Sequence, residues 1–485
     1  MSAASPKKAT FTVSDLLPRV ASLMQALDFP SAGLFVKKAV ALAPNNPRLL
    51  DLAGRVALEL GDLEEARTHF SLAETLDPTP DEPRDIEDAA AVASAVAEDP
   101  AWAEPILRPP SWARTMCLGQ LTTGLEAAQA FEKGVKMMEK RIERLESERG
   151  LAPGQPVAQT NGSANGTKSA NKALVNGHNE ERQEDPLTVL REEVSSALCG
   201  LVELYMTDLC DDPSAEQLAS TFAIRALHHS PSSPEALQTL ASLRLSQQRP
   251  DDALEAALGA TGGAGGWLES TLSALDGAET APDGEPVDAA MPAYPARLSL
   301  AKLLIELGLL SRAFDVLRTC IAEDDEQMEP WYVWGWGYYL AGVEAGGGAD
   351  GSGASGSTGV IGQVQLDGGK DARTPGEWFA DSRDCFRMLE KLFTRYNALK
   401  QEELHSGREE EGDGMATDAS EDEEDQELAA FSSMVQHATE LLGEMEKMGG
   451  FEGGEEDDEG GDEGDDWEDV VVQGDGDGDE EMDDA

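Results

Sequence analysis

The stretch NPRLLDLAGRVALELGDLEEARTHFSLAETLDP, residues 46–78, sets the fold expectation for the chain. Leu50, Ala53, Gly54 and Ala57 recur at intervals of three and four, the period of one helix face, and Ala66, Phe70 and Ala73 resume that pattern after a break. Gly61-Asp62 supplies a turn between the two runs, and Pro78 ends the second. Gly54 and Ala66 are small enough to let two helices approach closely, while Phe70 has the bulk to fill the gap to a neighbouring hairpin. Such a hairpin cannot bury its own apolar face, so it predicts neighbours.

This is the spacing of a tetratricopeptide repeat (TPR), a helical hairpin of roughly 34 residues. From Pro44 to Pro78 is one step of 34 residues, and an in-phase unit precedes it with Leu16 and Leu23, then Ala32, Val36 and Ala39. The phase is then lost through an alanine-rich helical stretch at 85–98 and a Pro/Trp-rich turn from Pro100 to Trp112. From Ala113 to Arg149 the pattern reads as one long helix, with Leu121, Leu125, Ala128, Phe131, Val135, Met138, Ile142 and Leu145 on one face. Repeats resume after Pro186, with Leu187 to Tyr205 on a first helix and Ala219, Phe222 and Ala226 on a second. One further unit starts at Pro234 and another near Leu300, with a turn at Gly308; between them lies a poorly ordered break from Gly259 to Pro295 around a short apolar segment, Trp267, Leu268, Leu272 and Leu275. Trp331, Trp334, Gly335 and Tyr338 form W-x-x-W-G-x-x-Y, whose partner helix resumes with Ser382, Phe386 and Leu389.

The expected fold is all-α: a TPR superhelix, or α-solenoid, with disordered inserts and a disordered acidic tail. Its divisions are a disordered start at 1–12, N-terminal TPR units and a long helix at 13–149, and a low-complexity insert at 150–185. C-terminal TPR units at 186–400 carry a Gly-rich insert at 342–376, and an acidic linker follows at 401–427. An amphipathic capping helix at 428–448 and the tail at 449–485 complete the chain.

Composition narrows the function classes. Aromatics make up 5% of the chain, and 94 acidic residues face 37 basic ones, a net charge of −57. That excess repels nucleic acid and anionic membrane and points to a basic partner. No apolar run approaches the roughly 18 residues of a transmembrane span. The first twelve residues hold no apolar core of a secretory signal, and the five scattered cysteines suit a reducing compartment.

Catalytic and cofactor motifs are weak. Gly351-Ser-Gly353-Ala-Ser-Gly356 matches G-x-G-x-x-G but lacks the preceding strand a dinucleotide loop requires. Asp475-Gly-Asp477-Gly-Asp479 begins like a calcium loop, yet Glu480 stands where glycine is needed and the twelfth ligand is missing. The six histidines do not combine with cysteines or carboxylates at metal-ligand spacing, and His228-His229 sits where a helix C-terminus favours a cation. The expectation is a binding protein, not an enzyme, with no cofactor and no metal.

In a TPR hairpin the first helix lines the groove, between its packing positions. Those positions are Asp51, Arg55 and Glu59 on the opening unit, and Gln238, Ser242, Lys302 and Glu306 on later ones. The first helix after the long insert adds Glu203, Asp208, Asp211 and Asp212, and the last unit adds Tyr332, Trp336 and Tyr339. Aromatic platforms with nearby carboxylates suit an extended basic segment, through cation–π contact and ion pairing.

The assembly resembles one fungal family. Two N-terminal TPR units, a low-complexity interruption, the run Trp331-Tyr332-Val333-Trp334-Gly335-Trp336 and an acidic tail with Asp465-Asp466-Trp467-Glu468-Asp469-Val470 are similar to the dedicated assembly chaperones of the fourth large-subunit ribosomal protein. The likeness covers most of residues 13–485. It implies a cytoplasmic and nuclear all-helical protein that captures its newly made basic client by the client's long internal loop and escorts it to pre-ribosomes. A one-to-one client complex, without direct nucleic-acid or membrane contact, is expected. The alternatives are a TPR co-chaperone, which needs a Lys/Arg/Asn clamp where only Arg55 and Lys302 are offered, and a histone-type acidic chaperone acting through its tail.

Overall fold

In the computed structural model the residues described are 11–79, 96–97, 100–151, 185–262, 266–276, 291–347, 373–410 and 418–448. The stretch at 85–98 falls almost entirely outside them, as do most of the 150–185 insert, both ligand-like loops at 351–356 and 475–480, and the tail from 449. The chain divides into two compact units, residues 1–243 and 244–485. Every regular element among the described residues is helical.

The first unit is built from antiparallel hairpins. α1 (Val13–Gln25) pairs with α2 (Phe29–Leu42), and α3 (Pro47–Glu59) with α4 (Leu63–Leu76). Their starts are written locally. The Asn46 side chain accepts hydrogen bonds from the Arg48 and Leu49 amides at 3.0 and 3.3 Å, with Pro47 opening α3. Asp28 and Asp62 cap α2 and α4 in the same way, from Ser31 and Glu65. Such caps satisfy amides that the helix itself leaves without acceptors. Gly61, at φ +77°, makes the turn between α3 and α4.

The contact that sets the hairpin angle is steric. A Cβ on Gly54 would lie 2.7 Å from the Phe70 ring, so the second helix rests its aromatic directly on the first helix's backbone. Phe70 also packs towards Cys117, Leu118 and Leu121, so it serves its own hairpin and the neighbour together.

That neighbour differs from expectation. The stretch from Ala113 to Arg149 is a hairpin, α5 (Ala113–Leu121) with α6 (Gly124–Glu148), and not one helix. Thr122 and Thr123 are extended and Gly124 takes φ +60°, which breaks the helix without disturbing the three-and-four apolar spacing. Phe131 sits on Gly119 as Phe70 sits on Gly54, whereas Leu125, expected on the packed face, is 59% exposed. α7 (Pro186–Met206) and α8 (Ala215–His229) follow as another hairpin, buried along Leu187, Leu190, Val194, Leu198, Leu201 and Tyr205 as expected. α9 (Pro234–Ser246) contains the division between the units.

The second unit holds α10 (Pro250–Ala260), α11 (Trp267–Asp276), and the hairpin of α12 (Tyr294–Glu306) and α13 (Leu310–Glu323). Helix α11 lies within the stretch expected to be a break; Trp267 anchors it by donating from its indole to the Ala260 carbonyl at 3.0 Å. α14 (Met328–Gly347) and α15 (Pro375–Glu410) form the last hairpin, and α16 (Asp418–Lys447) packs on both. Gly335 carries the Phe386 ring, with a built Cβ only 2.6 Å away, and Ser382 donates to the Gly335 carbonyl at 2.7 Å. Helix continues to Glu410 and restarts at Asp418, within the stretch expected to be a linker.

Gly54→Ala should therefore lower the urea midpoint, at about 1–3 kcal/mol for overpacking. Gly200→Ala, where a Cβ meets nothing within 4 Å, should raise the midpoint, with about 0.5–1 kcal/mol of added stability from the better helix propensity of alanine. Equal effects at the two glycines, measured by urea unfolding, would contradict the steric account.

Candidate functional site

The first-helix residues singled out from the sequence meet different fates. Asp51 is taken up internally. The Arg114 guanidinium donates to both of its oxygens, at 2.6 and 2.7 Å, and also reaches Glu74 at 3.2 Å and the Asp77 carbonyl at 2.5 Å. Burial pushes the Asp51 carboxyl up despite Arg114. Burial would raise Glu74 too, but hydrogen bonds from Thr79 and Arg114 and the charge of Lys133 outweigh it and hold that carboxyl down. Asp51 is thus a bolt between α3 and α5, which corrects its assignment as a groove residue. Arg55 is also engaged, donating to the Ile106 carbonyl at 2.9 Å, while Glu59 is exposed beside it.

The Pro/Trp-rich segment explains this. Its two short 3-10 turns, Pro100–Ala103 and Pro105–Leu107, lie against α1, with Trp102 and Leu107 buried in the core formed with Leu16, Leu17 and Leu52. The strap covers the first-helix side of the opening hairpins. Its signal in the sequence was the pairing of large apolar residues with proline outside the repeat phase.

In the last unit the aromatic trio is half-buried and not open. Tyr332, Trp336 and Tyr339 pack beneath α16, against its Phe431, Met434, Val435 and Leu442. Polar ends are tied as well: the Tyr332 hydroxyl lies 2.7 Å from His437 Nδ1, and the Tyr339 hydroxyl donates to Glu444 at 2.8 Å. Burial and the Glu444 charge push the Tyr339 hydroxyl up to about 12. These three residues are corrected from a free platform to the seat of the capping helix. The rings of the W-x-x-W-G-x-x-Y motif lie elsewhere: Trp331, Trp334 and Tyr338 stack in series with Phe314 and Trp378. Lys302 pairs with Glu329 at 2.5 Å, and Glu306 is exposed with its carboxyl raised by partial desolvation.

Among the described residues, what stays open is the face of α7 and the start of α9. Glu203 is exposed, and its carboxyl is raised by partial desolvation and by the charge of Glu235 on α9. Glu193, one face further along α7, is raised by desolvation and eased by a hydrogen bond from Trp112. Ser196 donates to Glu235 at 2.9 Å, and Gly200, beside them, leaves open space where a side chain would stand. Gln238 and Ser242 continue the face on α9, both half-buried. Residues at these intervals fall on one side of a helix. Like charges held together, with ionisation made harder, store free energy that an approaching cation releases. Both Glu193 and Glu235 were missed in the sequence. Glu235 follows Pro234 at a helix start, a place ordinarily explained by the helix dipole alone.

The other acidic residues nearby are structural or peripheral. Asp208 accepts from the Gly124 amide at 3.2 Å, closing the start of α6, and Asp212 accepts from the Ser214 amide and hydroxyl at 2.7 and 2.6 Å. Asp211 is exposed. His229 lies 3.1 Å from Glu139, which also takes a hydrogen bond from Arg225 at 2.8 Å; the histidine has a side-chain partner besides the helix end. Among the described residues no group of three His, Cys, Asp or Glu is placed to hold a metal ion, and no helix is long and apolar enough to cross a membrane.

Fold and face together define a helical-hairpin repeat protein of the tetratricopeptide type that presents carboxylates on first helices. Comparison with known proteins adds two curated relatives. The chain is 35% identical over 151 residues to a probable assembly chaperone of rpl4 from Schizosaccharomyces pombe, across 31% of this chain and 40% of that one. It is 29% identical over 328 residues to a probable assembly chaperone of rpl4 from Emericella nidulans, across 66% of this chain and 63% of that one. The chain therefore spans two-fifths and just under two-thirds of the length of these relatives. Among solved structures it is similar to the assembly chaperone of RpL4 (Acl4), residues 1–338, at 25% identity and a TM-score of 0.49, covering 69% of this chain and 98% of that one. No family model matches the chain.

Leu441→Asp places a charge in the seam between α16 and the last hairpin. It should free α16, speeding hydrogen exchange along it and red-shifting tryptophan emission as Trp336 meets water. Unchanged exchange in α16 would show that the helix is not held by this seam.

Proposed function

We propose that the chain is a dedicated chaperone that binds and shields a newly made basic ribosomal protein of the large subunit and escorts it to pre-ribosomes. The client is the protein called rpl4 in the descriptions of its fungal relatives. The observation that carries the reading is the open acidic face of α7 and α9, where partial desolvation and the nearby charge of Glu235 raise the Glu203 carboxyl and so favour an incoming cation. A long basic loop bound for RNA finds there a substitute for the phosphates it will later meet. The strap and the capping helix support the same placement, because they occupy the first-helix surface at the opening hairpins and at the last hairpin.

The role is a non-catalytic one. One copy takes one client, in cytoplasm and nucleus, and touches neither nucleic acid nor membrane. Release needs only a stronger polyanion, ribosomal RNA, and no nucleotide-driven step. The acidic tail keeps the pair soluble and competes with premature RNA contact through the same cations.

Glu203→Gln should separate stability from function. A carboxyl raised above its ordinary 4.5 makes the folded chain the better proton binder, so its stability contribution falls as pH rises through that range. The neutral glutamine should therefore raise the denaturation midpoint at pH 7 while weakening client binding. Client affinity should fall steeply with salt, and fall on acidification at a pH above that of an ordinary glutamate. Deleting 452–485 should leave binding largely intact. Binding that ignores salt and Glu203 but vanishes with the tail would replace this reading with a tail-based acidic chaperone.

A further inference from the structure

Carboxylates outnumber cations 94 to 37 in this chain, yet α15 turns a row of cations to solvent. Arg383, Arg387, Lys391 and Arg395 stand four residues apart, on the side away from the buried Phe379, Phe386 and Leu389. Four-residue spacing lines them along one face over about 18 Å. Arg387, Lys391 and Arg395 are exposed. Arg383 lies 3.5 Å from Asp384, and Arg395 lies 2.8 Å from Glu326 with both side chains more than 60% exposed. The Arg395–Glu326 pair, so open to water, is weak and exchanges readily for other partners.

We propose that this row is the docking surface for the chain's own acidic C-terminal segment, residues 452–485. Charge is the first argument: that segment holds 19 acidic residues and no basic one. Position is the second. Glu444, in the last turn of α16, accepts from the Tyr339 hydroxyl at 2.8 Å, and the Tyr339 ring lies 6.1 Å from Phe379, one turn before Arg383. The chain thus leaves α16 beside the start of the cationic row. Reach is the third. Even coiled at random, a chain running from 449 to 485 spans on the order of 30 Å, more than the row's length. A tether of that size holds its charges near the row at a local concentration in the millimolar range, so weak individual pairs suffice. The docking concerns α15 and the tail alone and stands apart from the identity of any client.

The test uses the full-length chain and a zero-length carbodiimide, which joins a lysine amine to a carboxylate it already touches. Cross-links located by mass spectrometry should join Lys391 to carboxylates of 452–485. They should fall several-fold when ionic strength rises from about 0.01 M to about 1 M, as the Debye length contracts from about 30 to about 3 Å. They should fall several-fold again in the Arg387→Glu, Arg395→Glu double variant, with helical content by circular dichroism unchanged. The salt series in the unaltered chain decides the matter if that variant folds poorly. Tail carboxylates that couple to the exposed Lys37 and Lys38 as often as to Lys391 would overturn the proposal. So would cross-links that form only between isotope-labelled and unlabelled copies.

Discussion

One steric contact carries the architecture: an aromatic ring on a second helix set down on a glycine of the first. Gly54 under Phe70, Gly119 under Phe131 and Gly335 under Phe386 repeat it, each with a built Cβ inside 3 Å of the ring. The contact fixes how near the helices come, and the distance determines which first-helix side chains are left over for other work. Everything functional in this chain is a question of what then covers those side chains.

Three coverings are seen, and they make the surface uneven. Trp102 and Leu107 bring an irregular strap over the opening hairpins. The Arg114 guanidinium consumes Asp51, which repeat spacing alone assigns to the groove. Helix α16 settles on Tyr332, Trp336 and Tyr339. Burying an aromatic against an apolar helix face is strongly favourable, whereas leaving three such rings in water is not. Among the described residues the carboxylates of α7 have no comparable covering, because desolvating them raises their free energy. The open face is acidic for that reason: apolar positions attract intramolecular cover, and a carboxylate resists it unless, like Asp51, it gains a cation of the chain's own.

The hairpins were legible in the sequence wherever packing residues obey the repeat spacing. Ala32, Val36 and Ala39, then Ala66 and Phe70, and Ala313, Leu317 and Cys320 are all buried as their intervals require. The break at Thr122–Gly124 was not legible, since the apolar period runs through it and only local backbone geometry marks it. The site was less legible than the fold. Spacing identifies a first-helix face but says nothing of long-range partners, and Arg114 reaches Asp51 across 63 residues of sequence. Glu203 stays open because its neighbours among the described residues, Glu235 and Gly200, give it no cation.

The central claim is that a basic client lies on the α7 and α9 face. Hydrogen–deuterium exchange of the full-length chain, alone and saturated with a basic large-subunit ribosomal protein of the rpl4 type, tests it most directly. The account predicts new protection along Glu193–Glu203 and the first turns of α9, with little change in α16. Protection confined to 452–485, or appearing in α16 and not in α7, would contradict it.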